Sequence, residues 1–311
     1  MKIAVITHKV DIDGHGGAIL TSLAFGKENV DYFLAMPIDI NKKLENVICM
    51  DKERNYDLIL VTDICPKEPL LSKIDQDLYL KNKIIVLDHH IGVRKSFKKE
   101  YDFVTLKWEE NGVKVCGTSM LYEYLVKHNY LEASKKLYEF VELTRRYDTW
   151  QWKESKDDLQ PFYLTTLMEK LGYDLYIEYM IEKLSKEDDE FVFTDFENKL
   201  VTSQIKDVEK YVKEALETFN IIKVQEYMLG VCFAENYRNE IKEYILENLD
   251  IDIDILAIVK LKDKNISYRS MKDNVDVNEF AKRYGGGGIP KAAGSQFTNE
   301  DLIEISKKIF K

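Results

Sequence analysis

"VLDHH", residues 86–90, ends an apolar run that begins at Ile84 and stops on an aspartate and two adjacent histidines. The chain has only five histidines, so a neighbouring pair there is a signal rather than filler. Ile84, Ile85, Val86 and Leu87 read as a short buried strand. Two earlier runs behave in the same way. "IAVIT", from Ile3, leads into His8, Asp11 and Asp13, and "LILVT", from Leu58, leads into Asp63. Together with a strand over Asp31–Leu34 and helices over Gly16–Phe25, Ser119–Lys127 and Ala133–Arg146, the alternation predicts an α/β fold with a parallel sheet. Ligands of such sheets gather beyond the carboxyl ends of the strands, so three strand ends deliver imidazole and carboxylate groups to one rim.

Composition bounds the rest. Hydrophobic residues make up 45% of 311, enough for real cores, and the length allows two domains. Cys49, Cys65, Cys116 and Cys232 are widely spaced with no CxxC pair, which argues against a zinc ribbon or a disulfide framework and for reduced thiols. The start "MKIAVITH" is too short an apolar run for a signal-peptide core, and no stretch could span a bilayer, so a cytoplasmic location is expected. A net charge of −10 excludes a protein that coats nucleic acid electrostatically. Residues 260–291 nevertheless hold eight basic side chains against four acidic ones, a surplus suited to an anionic ligand.

Residues 150–195 read as mainly helical. An amphipathic stretch through Leu200, Ile205, Val208, Val212 and Phe219 reads as a connecting helix. A second, smaller α/β unit comes next, with "YMLGVCF", "DILAIVKL" and "NISYRS" as strands, helices near Asn239–Glu247 and Val277–Tyr284, and "GGGGIPKAAGSQF" at its end. The expected divisions are a catalytic domain over 1–195, a linker helix over 196–220 and a substrate domain over 221–311.

His8, Asp11, Asp13, Asp63, His89 and Asp148 form a thiolate-free set suited to two ions of intermediate hardness such as manganese. In an extended "HKVDIDG" loop, Asp11 and Asp13 would point in one direction. Asp63 is best placed to bridge. Two cations about 3.5–4 Å apart can activate water for in-line attack on phosphorus.

These residues resemble the DHH phosphoesterase family: "THKVDIDGHGGA" its first motif, "LILVTDI" its second, "VLDHH" the motif that names it, and "RRYDTW" its fourth. "ISYRS" and "VDVNEFAKRYGGGGIPKAAG" resemble the DHH-associated domain with its glycine-rich substrate loop. The resemblance implies two Mn2+ ions, with Mg2+ or Co2+ as alternatives. His8, Asp11 and Asp63 would hold one, and Asp13, Asp63, His89 and Asp148 the other. Asp63, Asp88 and His90 would be the catalytic residues, His90 facing the substrate phosphate and Asp88 orienting an imidazole. Substrate would be bound by His90, Arg269, Gly286, Gly287, Gly288 and Lys291, the three glycines through their backbone amides. The loop departs from the family's GGGH, since Ile289 follows Gly288. The resemblance implies hydrolysis of short RNA or DNA oligonucleotides, or of 3′-phosphoadenosine 5′-phosphate. The alternatives are polyphosphate, a cyclic or linear dinucleotide, or a non-catalytic phosphoanion-binding role. It leaves room for a homodimer. Tyr147, Trp150, Trp152 and Tyr284 are candidate base-stacking residues, though core packing is the expected role for most of them.

Overall fold

The structure, a computed structural model, describes residues 1–310 except 155–157 and 188. The chain divides into two compact units, Met1–Thr202 and Ser203–Lys311.

The first unit begins β1 (Ile3–His8), α1 (Ile12–Phe25), β2 (Val30–Ala35), α2 (Ile40–Arg54) and β3 (Leu58–Thr62). It continues with α3 (Leu70–Gln76), α4 (Leu78–Lys83), β4 (Ile84–Asp88), β5 (Val104–Leu106) and a two-stranded hairpin, β6 (Glu109–Glu110) and β7 (Val113–Lys114). After the hairpin come α5 (Gly117–Lys127), α6 (Lys135–Asp148), α7 (Gln160–Leu171) and α8 (Tyr173–Leu184). Strand order is β2-β1-β3-β4-β5, and every pairing is parallel.

Side chains of a strand alternate between faces, and both faces of this sheet are apolar. Ile3, Val5, Leu58 and Leu60 point into one core with α1, α5, α6, α7 and α8. Ala4, Ile6, Ile59 and Val61 point into another with α2 and α3. That double burial explains why these strands read as unbroken apolar runs. The expected strands and helices are found, each within a few residues. α1 is the instructive difference: it starts at Ile12, four residues before the expected Gly16, because Asp11 caps it by accepting from the Gly14 amide at 2.9 Å.

α9 (Asp195–Leu216) contains the division between the units. Its later turns contribute Val208, Tyr211, Val212 and Ala215 to a core of the second unit. That unit adds β8 (Asn220–Val224), β9 (Tyr227–Phe233), α10 (Arg238–Asn248), β10 (Ile255–Lys260) and β11 (Asn265–Ser270). It ends with α11 (Val277–Lys282), β12 (Gly287–Ile289), β13 (Ala292–Gln296) and α12 (Asn299–Ile309). Its six strands run β12-β13-β11-β10-β9-β8, with β9–β10 the parallel pair. β8 was not expected: Asn220–Val224 falls between Phe219, the last apolar position of the helix pattern, and "YMLGVCF", the first strand read in this unit.

Among the described residues no helix is long and apolar enough to cross a membrane.

Candidate metal centre

β1, β3 and β4 lie side by side and run the same way, so the residues at and just beyond their carboxyl ends meet at one edge. His8 is the last residue of β1 and Asp88 the last of β4. Asp63 comes directly after β3 with φ 55°, a left-handed conformation that aspartate tolerates, and its amide donates to Leu87 O at 3.0 Å. Asp148 ends α6.

Asp63 is the hub. His8 Nδ1 lies 2.7 Å from Asp11 Oδ2 and 3.6 Å from Asp63 Oδ2. His89 Nε2 lies 3.2 Å from Asp63 Oδ1, 3.5 Å from Asp148 Oδ2 and 3.7 Å from Asp13 Oδ2. Among the described residues three overlapping groups could hold a metal ion: His8, Asp11 and Asp63; Asp13, His89 and Asp148; and Asp63, Asp88, His89 and His90. Within each, the ligand atoms fall within 4.8 Å of one another.

The loop reading of Asp11 and Asp13 needs correcting. Asp11 is the N-cap of α1 and Asp13 lies in the first helical turn, so the two leave the backbone differently. Asp13 is wholly buried, and its two oxygens accept from the amides of Gly117 and Thr118, each at 2.7 Å. The start of α5 therefore clamps it. Gly117 allows the approach: a Cβ there would stand 2.4 Å from Asp63 Cβ and 2.8 Å from Asp63 N. Gly117→Ala is expected to destabilise the fold by about 1–3 kcal/mol and to weaken Mn2+ binding. Thermal melting and a metal titration check both effects. Gly117 and Thr118 escaped the sequence reading, although "CGTSM" at a helix start was the available signal.

The imidazole beside Asp88 is that of His90, whose Nδ1 is 2.8 Å from Asp88 Oδ1. The same oxygen accepts the amides of His89 and His90. This hydrogen bond, against the opposing effect of burial, raises the His90 pKa. Asp148 is not neutralised by its neighbouring arginines. Arg145 pairs with Glu142, and Arg146 with Asp158.

The donor set fits divalent cations. Burial, then the charges of Asp13, Asp11 and Asp148, push Asp63 well above the usual carboxylate range, despite a bond from His8. Burial and Asp13 push Asp148 up to about 7. Burial disfavours a charged His8, yet bonds to Asp11 and Asp63 outweigh it and push its pKa up to about 10. Asp63 Oδ2, Asp88 Oδ2, Asp148 Oδ2 and His89 Nδ1 are buried with no hydrogen-bond partner among the described residues. Buried carboxylates crowded in this way are costly unless a cation satisfies them.

The other expected site residues lie in the second unit. Arg269 is on β11, and its guanidinium reaches Asn239 Oδ1 at 3.4 Å. Lys291 Nζ is 3.1 Å from Asp273 Oδ1. The expectation of free amides at Gly286–Gly288 is corrected at two positions: Gly286 N donates to Ala281 O at 2.9 Å and Gly288 N to Asn278 Oδ1 at 3.0 Å. Gly286 serves packing instead, since a Cβ there would stand 2.0 Å from Gly294 O. Tyr147, Trp152 and Phe162 form a half-buried stack, whereas Tyr284 is 43% exposed, with one contact to the ring of Phe280. Trp150 is 61% exposed. Trp108, which the sequence did not single out, lies parallel to His89 with ring centroids 6.4 Å apart. His15, left out of the ligand set, is buried with Nε2 2.8 Å from Lys9 O, and His128 caps the end of α5.

Comparison with known proteins agrees with this geometry. Residues 2–144 match the DHH family, N-terminal domain. Over 295 residues the chain is 33% identical to oligoribonuclease NrnB of Bacillus subtilis (strain 168), covering 93% of this chain and 72% of that protein. Among solved structures, the pGpG-specific phosphodiesterase PggH of Vibrio cholerae matches with TM-score 0.54 at 16% identity, over 99% of this chain and 97% of that one. RecJ of Thermus thermophilus in complex with Mn2+ matches with TM-score 0.53 at 17% identity, over 96% of this chain and 50% of that one. Fold, site and relatives together define a hydrolytic phosphoesterase. The chain belongs to the DHH family.

Proposed function

We propose that this chain is a cytoplasmic, manganese-dependent phosphoesterase that hydrolyses short oligonucleotides and acts also on 3′-phosphoadenosine 5′-phosphate. The observation that carries the reading is that two ligand groups, His8–Asp11–Asp63 and Asp13–His89–Asp148, meet at Asp63. One cation would be held by His8, Asp11 and Asp63, and the other by Asp13, Asp63, His89 and Asp148. When bound, the pair supplies Lewis acidity that acidifies water and offsets anionic charge at phosphorus.

The chain's own groups do the rest. The start of α5 fixes Asp13 through two amides, which leaves its remaining lone pairs directed at the centre. Asp88 accepts from His90 Nδ1 and so fixes the ring, leaving Nε2 to hold a phosphoryl oxygen. The hydrogen bond to Asp88 raises the His90 pKa and so shifts the ring towards its protonated form, the form that donates to phosphate. Arg269 supplies a further cation for a phosphate group. The resemblance to NrnB supports the oligonucleotide class.

The test is manganese-dependent product release from a 5′-phosphorylated dinucleotide, 3′-phosphoadenosine 5′-phosphate and polyphosphate. Turnover of the first two supports the proposal. Turnover of polyphosphate alone would replace it, and metal binding without turnover of any of the three would favour a phosphoanion-binding role. Ile289, 63% exposed at the end of β12, cannot donate a hydrogen bond to phosphate. Ile289→His is therefore expected to lower KM for the dinucleotide by about tenfold, the worth of one charge-assisted hydrogen bond. An unchanged KM would remove this position from the substrate loop.

A further inference from the structure

The second unit carries arginines treated differently from most others in the chain. Arg94, Arg145, Arg146 and Arg283 each sit against a carboxylate. Arg238 and Arg269, with Lys242, have no carboxylate within ion-pair distance among the described residues. The nearby acids are otherwise engaged: Asp263 pairs with Lys260 and Asp273 with Lys291. Glu243, beside Lys242 on the helix, contributes only a minor attraction to it.

The three cations share one face. Arg238 and Lys242 are four apart on α10, hence on one side of the helix, while Ile241 and Ile245 turn into the core. Ser267 and Arg269 are two apart on β11, hence on one side of the sheet. Cross-bonds tie helix to strand: Arg238 Nη1 donates to Ser267 Oγ at 2.9 Å, and Arg269 Nη2 to Asn239 Oδ1 at 3.4 Å. Both guanidinium groups are thus held in place by neutral partners, and the charge of Arg238 is felt only at a distance by Asp263. Burial, then the charges of Arg269 and Lys291, hold Lys242 below its usual range, and burial and Arg238 lower Arg269. Mutual repulsion of fixed cations is tolerated where an anion relieves it.

We propose that Arg238 and Lys242 of α10, together with Arg269, form a phosphate-binding platform for the backbone of a short single-stranded RNA. It extends the substrate contacts beyond the loop and strand residues expected from the sequence. This rests on the oligonucleotide reading above, and binding is measured separately from cleavage.

The experiment uses the full chain and a 5′-fluorescein RNA pentamer, followed by anisotropy in EDTA over a range of salt concentrations. Arg238→Gln/Lys242→Gln is expected to weaken binding about tenfold and to reduce the salt slope by about 1.4, roughly 0.7 for each cation lost. Arg238→Lys/Lys242→Arg, which keeps both charges, is expected to restore the slope. Because Arg238 also bonds Ser267, the melting temperature of each variant separates lost charge from lost fold. An unchanged slope in the glutamine variant, or no pentamer binding by the native chain, overturns the platform. Displacement of the pentamer by tripolyphosphate at lower concentration than by unlabelled RNA overturns RNA as its ligand. Slope-dependent binding without manganese-dependent cleavage would uphold the platform and sink the oligonucleotide hydrolase reading instead.

Discussion

Asp63→Asn is expected to lower kcat/KM on any phosphoester the chain cleaves by about three orders of magnitude or more. Asp63 is the residue that approaches His8 at 3.6 Å with one oxygen and His89 at 3.2 Å with the other. An amide keeps the shape but offers a nitrogen where a ligand oxygen stood, so bound manganese should fall from two ions to at most one. The metal-free variant should melt no lower than the native chain, and it is expected to melt higher. Asp63 is held well above the usual carboxylate range by burial and its acidic neighbours, so the neutral form already suits the empty cage. Asparagine makes that neutrality permanent. Full activity with two ions per chain would eliminate Asp63 as the shared ligand.

The second large effect is that acidity and metal act on stability in opposite senses. Asp148 is pushed up to about 7 in the folded chain, from an ordinary value near 3.8, and Asp63 is raised well above the same ordinary value by burial and its acidic neighbours. An acid whose pKa rises on folding binds more protons in the folded state. Its favourable contribution is complete below the unfolded pKa and disappears as pH climbs through the folded one. His8, pushed up to about 10, acts in the same direction, its contribution complete below about 6.5 and lost towards 10. Metal-free protein should therefore lose stability continuously from about pH 4 to about pH 10. Cations need the deprotonated groups, so their binding releases protons and strengthens as pH rises. At a free concentration a hundredfold above Kd, each site adds about 2.7 kcal/mol. Melting curves with and without Mn2+ should diverge most at alkaline pH, and parallel curves would contradict the shared cage.

Much of this was legible in the residues. Unbroken apolar runs ending at His8, Asp63 and Asp88 reported a sheet buried on both faces, because strand ends in such sheets are the first points where polar groups reach solvent. Asp148 was harder to read, since a helix-end aspartate beside two arginines has the pattern of an ordinary ion pair. Only the tertiary structure shows Arg145 and Arg146 committed elsewhere. The start of α5 was missed as part of the site because its contribution comes from backbone amides, which any residue type supplies. The glycine run misled for the reverse reason: "GGGG" suggested open amides, but β12 lies on β13, and close packing absorbs two of the three proposed donors. Arg238 and Lys242 belong to a helix whose sequence looks like any solvated surface, and what sets them apart is the missing counter-charge.

Asp13 meets Thr118 across 105 positions of chain. A contact so remote closes a long loop before it returns any energy, so it forms late and with the rest of the sheet already in place. During synthesis, then, the Asp13–His89–Asp148 group stays unfinished until α5 and α6 have emerged and docked. A nascent chain cannot complete that group early, so any cation it would hold arrives as a closing act of maturation rather than as its seed.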